Sequence, residues 1–284
     1  MFQYACARSL ALSCKLELVL DNWSGFVRDD QYKRHYELGV LPIQAIVTKP
    51  WERLPIWLYR WQKRISPSLP ALLEMRWYGQ FLAETGCGFL PTLRNISINR
   101  NTWITGYWQS PLYFQEHAET IRAELMPPIA QAIHYRDIAN EIRRTEAVAL
   151  GVRIYEESKE PSAHAQGGRI KRIDEIRGAV ATLRESHPKA RIFVFCTHRA
   201  PLLKELDLPS DVVFVTRDDG YGDTIETLWL LTQCRHHIFT NSSYFWWGAW
   251  LSASVRGGDG DRQTILAADN FYNRNALCPE WRTF

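Results

Sequence analysis

No apolar run in this chain of 284 residues approaches the ~18 that a membrane-spanning helix requires. The N-terminus lacks a basic leader, and Arg8, Lys15 and Glu17 interrupt any signal-like stretch. Cys6, Cys14, Cys87, Cys196, Cys234 and Cys278 form no C-x-x-C pair, so thioredoxin-like and zinc readings fail and small buried hydrophobes remain. Charge of one sign is also scarce. Lys and Arg number 34 against 31 Asp and Glu, a net +3, and no nucleic-acid partner is expected. G-x-S-x-G, a Walker loop and H-E-x-x-H are all absent. These absences predict a cytoplasmic chain, in which the Asn-x-Ser triplets at Asn22, Asn95 and Asn241 are coincidences of composition.

What is present is a core. Hydrophobic residues make up 46% and charged residues 23%, and Trp, Tyr and Phe number 12 each. The length suggests roughly two domains. In the second half, apolar and β-branched runs at Ala147–Val152, Arg191–Phe195, Val212–Val215, His237–Thr240 and Thr264–Ala267 read as strands. Between them Ile173–Ser186, Pro201–Leu206, Thr224–Cys234 and Ser243–Ser252 read as helices. Continuous apolar strands alternating with amphipathic helices predict a parallel sheet covered on both faces. Residues 146–284 are therefore expected to form a Rossmann-like domain whose ligand sits beyond the carboxyl ends of the strands.

Residues 1–145 are less regular. Phe2–Ser13 reads as a helix, Leu16–Leu20 and Ile104–Tyr107 as strands, and Pro111–Glu124 and Ile129–Arg144 as helices. A Rossmann half normally starts with a strand and a Gly-rich turn, and here the chain opens inside the helix that follows them. An upstream strand and turn are expected. In Lys49–Arg64, Trp51, Leu54, Leu58, Trp61 and Ile65 share helical spacing, with Arg53, Arg60, Lys63 and Arg64 mostly elsewhere on the wheel. Two readings stand: a helix covering a core, or one lying on an anionic membrane surface through Trp51, Trp57, Trp61, Arg60 and Arg64.

Two places could hold chemistry. Arg153 follows the strand Ala147–Val152, where a parallel sheet meets its ligand. Thr240, Asn241, Ser242 and Ser243 end a strand and begin the helix carrying Trp246, Trp247 and Trp250. Free N–H groups there offer a seat for phosphate, and a facing Arg adds a forked, permanent charge. A surface Arg and a plain helix cap explain the same residues. Asp259-Gly260-Asp261 has metal-binding spacing but lies among glycines, and Asp218-Asp219-Gly220 also reads as a turn. His236 and His237 enter a strand and face opposite ways, so they do not chelate together.

A longer pattern weighs in. Asn241-Ser242-Ser243-Tyr244-Phe245-Trp246-Trp247-Gly248-Ala249-Trp250-Leu251 resembles the N-S-S-F-S-W-W-G-A-W-L signature of glycosyltransferase family 11, the α-1,2-fucosyltransferases. Met1-Phe2-Gln3-Tyr4-Ala5 resembles the end of that family's opening G-G-L-G-N-Q-M-F-Q-Y-A. Gly106-Tyr107-Trp108-Gln109-Ser110, with Tyr113-Phe114 and Ile121-Arg122, is similar to its G-Y-W-Q-S block. Cys234-Arg235-His236-His237 stands where the family has C-K-H.

The resemblance implies an α/β, GT-B-like chain of two Rossmann-like domains, the first truncated at its N-terminus. It implies metal-independent, inverting transfer of fucose from GDP-fucose to a galactoside hydroxyl, with no cofactor. The acceptor would be an oligosaccharide or lipid-linked glycan. Arg153, matching the first Arg of the family's H-x-R-R-x-D, would stabilise the leaving diphosphate. Glu156, His198, Asn241, Ser242 and Ser243 complete the implied donor site. No residue identifies itself as the general base or as acceptor-binding.

The departures concern the base. Gly151 stands for the motif His, Ile154 for the second Arg, and Phe195-Cys196-Thr197-His198 for F-S-D-D. In the family the His and a turn Asp help to read guanine. Gly151 is expected to leave space where an imidazole stood, so an unchanged guanine read by other groups, a different nucleotide-activated sugar, or a non-catalytic truncated sugar-binding relative all fit the sequence.

Overall fold

The computed structural model describes residues 1–27, 35–49, 80–98, 101–153, 171–255 and 263–284. They divide into two compact units, Met1–Leu125 with Asn273–Ala276, and Met126–Tyr272 with Leu277–Phe284.

In the first unit, helix α1 (Phe2–Cys14) buries Phe2, Tyr4, Ala5, Cys6, Ser9, Leu10 and Ala11, a stripe at helical spacing. It stops at Lys15, whose φ of 54° directs its N–H back to the Ala11 and Leu12 carbonyls. Strands β1 (Val19–Leu20) and β2 (Ile46–Val47) form one parallel pair, and β3 (Gln80–Ala83) and β4 (Thr102–Thr105) another. The helix read over Pro111–Glu124 is instead two 3-10 turns followed by α2 (Ala118–Leu125), the first turn capped by Ser110 Oγ, which accepts the Leu112 N–H. Glu124 of α2 is 6% exposed, and its carboxylate is satisfied by the Tyr4 hydroxyl and a forked Arg8 at 2.7–3.0 Å. Asn273–Ala276 joins this unit through Arg274 N–H donating to the Cys87 carbonyl and Ser110 Oγ donating to the Asn275 carbonyl.

The second unit follows the sequence reading closely. It contains α3 (Ile133–Arg144), β5 (Ala147–Gly151), α4 (Ile173–Ser186), β6 (Arg191–Phe195), β7 (Val213–Val215), α5 (Thr224–Gln233), β8 (His236–Phe239), α6 (Ser243–Val255), β9 (Ile265–Ala267) and β10 (Arg282–Thr283). Every pairing is parallel, in the order β7-β6-β5-β8-β9-β10. Taken from β5 onward this is the 3-2-1-4-5-6 order of a dinucleotide-type fold, and the strand direction of travel reverses between β5 and β8. All five residues of β5 are buried, as a strand covered on both faces must be. Val148, Leu150, Ile192, Val194, Ile238 and Leu266 pack one face against Ile176, Ala179, Val180 and Leu183 of α4.

Three local differences from the sequence reading have plain causes. Helix α3, grouped by sequence with residues 1–145, belongs to the second unit. Its Tyr135 hydroxyl accepts the Asp223 N–H at 2.9 Å and its ring meets Tyr221 edge-on. Pro201–Leu206 is a 3-10 helix ended by Asp207 at φ 50°. Strand β10 pairs by main chain alone, with two exposed polar residues that carry no apolar signal. No disulfide joins the six cysteines, of which Cys6, Cys196, Cys234 and Cys278 are buried. Among the described residues no helix is long and apolar enough to cross a membrane.

Candidate functional site

The reversal between β5 and β8 opens the carboxyl edge of the sheet, and the end of β5 is tied there to both of its neighbours, β6 and β8. Val152 N–H donates to the Phe195 carbonyl at 2.9 Å, and Thr240 N–H donates to the Gly151 carbonyl at 3.0 Å. Arg153 N–H donates to Thr240 Oγ1 at 2.7 Å. Thr240, 4% exposed, is thus the clamp that fixes the backbone of Arg153 at the edge. From the same strand end the chain turns into α6, where the Ser242 carbonyl accepts the Trp246 N–H. Asn241 Nδ2 donates to the Asn270 carbonyl and ties down the segment after β9. The structure therefore brings Arg153, Asn241, Ser242 and the exposed Ser243 to one edge. The half-buried Arg153 thus leaves the sheet at the edge where the first turn of α6 begins, and a forked cation paired with a helix N-terminus is suited to a diphosphate.

His198 lies on the neighbouring strand end, beyond β6. Its Nδ1 is 2.9 Å from Asp218 Oδ1, and Asp218 Oδ2 accepts the Arg199 N–H at 2.8 Å. The hydrogen bond to His198, reinforced by Arg199 N–H, holds the Asp218 carboxyl below the usual carboxylate range. A carboxylate only accepts, so Nδ1 carries the proton and Nε2 of the neutral ring presents a lone pair. Asp219 receives the Arg199 guanidinium and Thr216 Oγ1. The Asp218-Asp219-Gly220 turn foreseen from sequence exists, and its carboxylates also orient the residues of the β6 edge.

The space expected at Gly151 does not exist. A Cβ there would lie 2.5 Å from Phe245 Cγ, so the ring of the α6 residue fills the position. Phe245 stands where the family pattern quoted above has Ser, and Gly151 where it has His: bulk lost on the strand is regained on the helix. The tryptophans of α6 are core. Trp246, Trp247 and Trp250 are at most 5% exposed and pack on one another with centroids 4.9–5.9 Å apart.

Several sequence candidates lie outside the described residues: Ile154, Tyr155 and Glu156, the segment with Trp51, Trp57, Arg60, Trp61 and Arg64, and Asp259-Gly260-Asp261.

One cluster was missed by sequence. At the opposite, amino edge of the sheet, Glu146, His187 and His236 bring ligand-type atoms within 4.8 Å of one another. Glu146 Oε1 lies 2.8 Å from His187 Nδ1 and 3.4 Å from His236 Nε2, with the two imidazoles 4.0 Å apart. His236 Nδ1, however, accepts the Thr264 N–H at 3.0 Å, which assigns the proton of the neutral ring to Nε2 and leaves no lone pair there for a metal. The cluster reads as one carboxylate between two imidazoles. Burial, then repulsion from His187, pushes His236 down to about 4.

The sequence profile described as "Glycosyl transferase family 11" matches residues 90–282. A curated protein of Escherichia coli, the "Alpha-1,2-colitosyltransferase", is 30% identical over 202 residues, 66% of this chain and 63% of its own length. The chain thus spans somewhat under two thirds of that relative. Among solved structures, the fucosyltransferase NodZ from Bradyrhizobium aligns over 87% of each chain at 17% identity with a TM-score of 0.47. The NodZ alpha-1,6-fucosyltransferase co-crystallized with GDP aligns over 87% of this chain and 86% of its own at 15% identity, TM-score 0.46.

Proposed function

Because this chain belongs to glycosyl transferase family 11, we propose that it transfers a deoxyhexosyl group, fucose or a close analogue, from a guanosine diphosphate sugar to a glycan hydroxyl. The observation that carries this reading is the junction of β5 and β8, where Thr240 fixes Arg153 beside the start of α6. In such a transfer the glycosidic bond to the diphosphate breaks, charge grows on the departing phosphate, and the sugar passes through an oxocarbenium-like state. A fixed guanidinium and helix N–H groups aimed at that charge lower the barrier without reorganising. Arg153 supplies the guanidinium, and Ser242 and Ser243 the helix end. The acceptor is a galactoside-type glycan attacked with inversion, and no metal enters the mechanism.

Guanine is the favoured base. The filled position at Gly151 removes the steric argument for a different one. In the neutral form of His198, whose Nδ1–H is directed at Asp218, Nε2 offers a lone pair for the N–H edge of a purine in place of the carboxylate lost from the turn. The relative's name, a colitosyltransferase, supports a deoxy sugar on the donor. Calorimetry with GDP, UDP and dTDP, followed by transfer assays from GDP-fucose to galactosides, tests the reading. Tight binding of GDP with transfer is the expected result. Preference for a pyrimidine nucleotide ends it.

A further inference from the structure

The first unit carries a feature that the donor site does not use. Where β3 and β4 end, the carboxyl edge of a parallel pair again faces outward, and the chain there is held in an unfavourable shape. Gly106 has a φ of 148° and Trp108 a φ of 54°, the latter costly for a residue with a side chain. Four anchors hold this loop. Gln3 Nε2 donates to the Gly106 carbonyl at 2.6 Å, and Glu84 Oε2 accepts the N–H groups of Tyr107 at 2.7 Å and Trp108 at 3.0 Å. The Trp108 ring is 1% exposed, edge-on to Tyr113. At Gly106 a Cβ would strike the Glu84 side chain, so glycine is required there for space as well as for φ.

The result of this anchoring is what stays outside. Tyr107, between two fixed neighbours, is 59% exposed. Glu84 spends one oxygen on the loop, while Oε1 takes no hydrogen bond or ion pair among the described residues. An exposed aromatic side chain on a fixed backbone, whose N–H is held by a carboxylate with a second oxygen unengaged among the described residues, matches the two sides of a pyranose: C–H faces that stack on an aromatic surface, and hydroxyls that donate to an acceptor. Strained backbone held by several independent anchors is also where binding sites concentrate.

We propose that Glu84 and Tyr107 form a saccharide-binding subsite on the first unit, which seats the glycan acceptor. The assignment of the bound sugar as acceptor rests on the transferase reading above; the subsite itself does not. Methyl β-galactoside is the probe, observed by saturation-transfer NMR on the full chain, with GDP calorimetry and acceptor KM measured in parallel. Glu84→Gln separates the two oxygens, because the amide keeps one carbonyl oxygen for the Tyr107 and Trp108 N–H groups and loses the free carboxylate oxygen. The expected result is that Glu84→Gln and Tyr107→Ala weaken saccharide contact and raise acceptor KM about tenfold, as for loss of a charge-assisted hydrogen bond. GDP affinity and the melting midpoint of Glu84→Gln stay unchanged, and Tyr107→Phe retains binding. Undiminished saccharide contact in Glu84→Gln and Tyr107→Ala, or none in the wild type, overturns the subsite. Loss of saccharide contact in the variants of a chain that binds no nucleotide would uphold the subsite and sink the transferase reading.

Discussion

Arg153 has two attachments with different jobs. Its backbone N–H belongs to the clamp with Thr240 and survives any substitution, whereas its guanidinium is the part proposed to meet phosphate. Arg153→Ala is therefore expected to fold normally and to lose about 10²–10³ in kcat/KM, the size of deleting one preorganised donor. Arg153→Lys should recover only part of this, because it keeps the charge without the fork. Steady-state kinetics beside thermal melts check both; unchanged kinetics in a folded Arg153→Ala would remove it from the mechanism. Asp218→Asn probes the neighbouring strand end. An amide that donates to Nδ1 would move the ring proton to Nε2, turning an acceptor into a donor, so GDP should bind more weakly while the fold stays intact. Equal GDP affinity would exclude His198 from base recognition.

Between elements, the contact of Gly151 on β5 with Phe245 on α6 is the sharpest constraint. Gly151→Ala should destabilise by about 1–3 kcal/mol through overpacking. Phe245→Ser alone should also destabilise, by opening a void. Combined, the two should cost less than their sum, and urea denaturation of the four members of the cycle measures the coupling. Additive costs would mean that the exchange of bulk is accidental. This pair also shows where sequence reading stops. The strands β5, β6, β8 and β9 were legible because a doubly covered parallel sheet writes unbroken apolar runs. The edge holding Arg153, Asn241, Ser242 and Ser243 followed from where such strands end. Phe245 filling Gly151 was not legible, since the contact joins segments far apart in the chain. The role of Asp218 was hidden in the same way, because a carboxylate in a turn acquires its meaning only from the His198 that folds against it. Glu84 lies outside the recognisable blocks, and its separation into one bound and one open oxygen exists only in three dimensions.

For the molecule as a whole, the Glu146–His187–His236 cluster, with its buried His236, predicts acid sensitivity. His236 ionises near 6.5 when unfolded and near 4 when folded, since burial and His187 oppose a second proton while Thr264 N–H occupies Nδ1. Between those values the unfolded chain binds the extra proton, so stability is complete above pH 6.5 and falls as pH drops towards 4, on the order of 2 kcal/mol. Glu146, held below its ordinary value by His187 once the opposing effect of burial is overcome, loses its contribution further into acid, with the same sign. Urea titrations at pH 7.5, 6 and 5 should show the decline, and His236→Gln should flatten it; an equal slope in that variant would place the sensitivity elsewhere. The division into two units has a consequence for watching them open. Cys6, Cys14 and Cys87 fall in the first and Cys196, Cys234 and Cys278 in the second, none of them in a disulfide. Alkylation pulses during denaturation, read by peptide mass, thus carry a separate clock for each unit, set by Cys6 in one and by Cys196, Cys234 and Cys278 in the other, with no engineered label required.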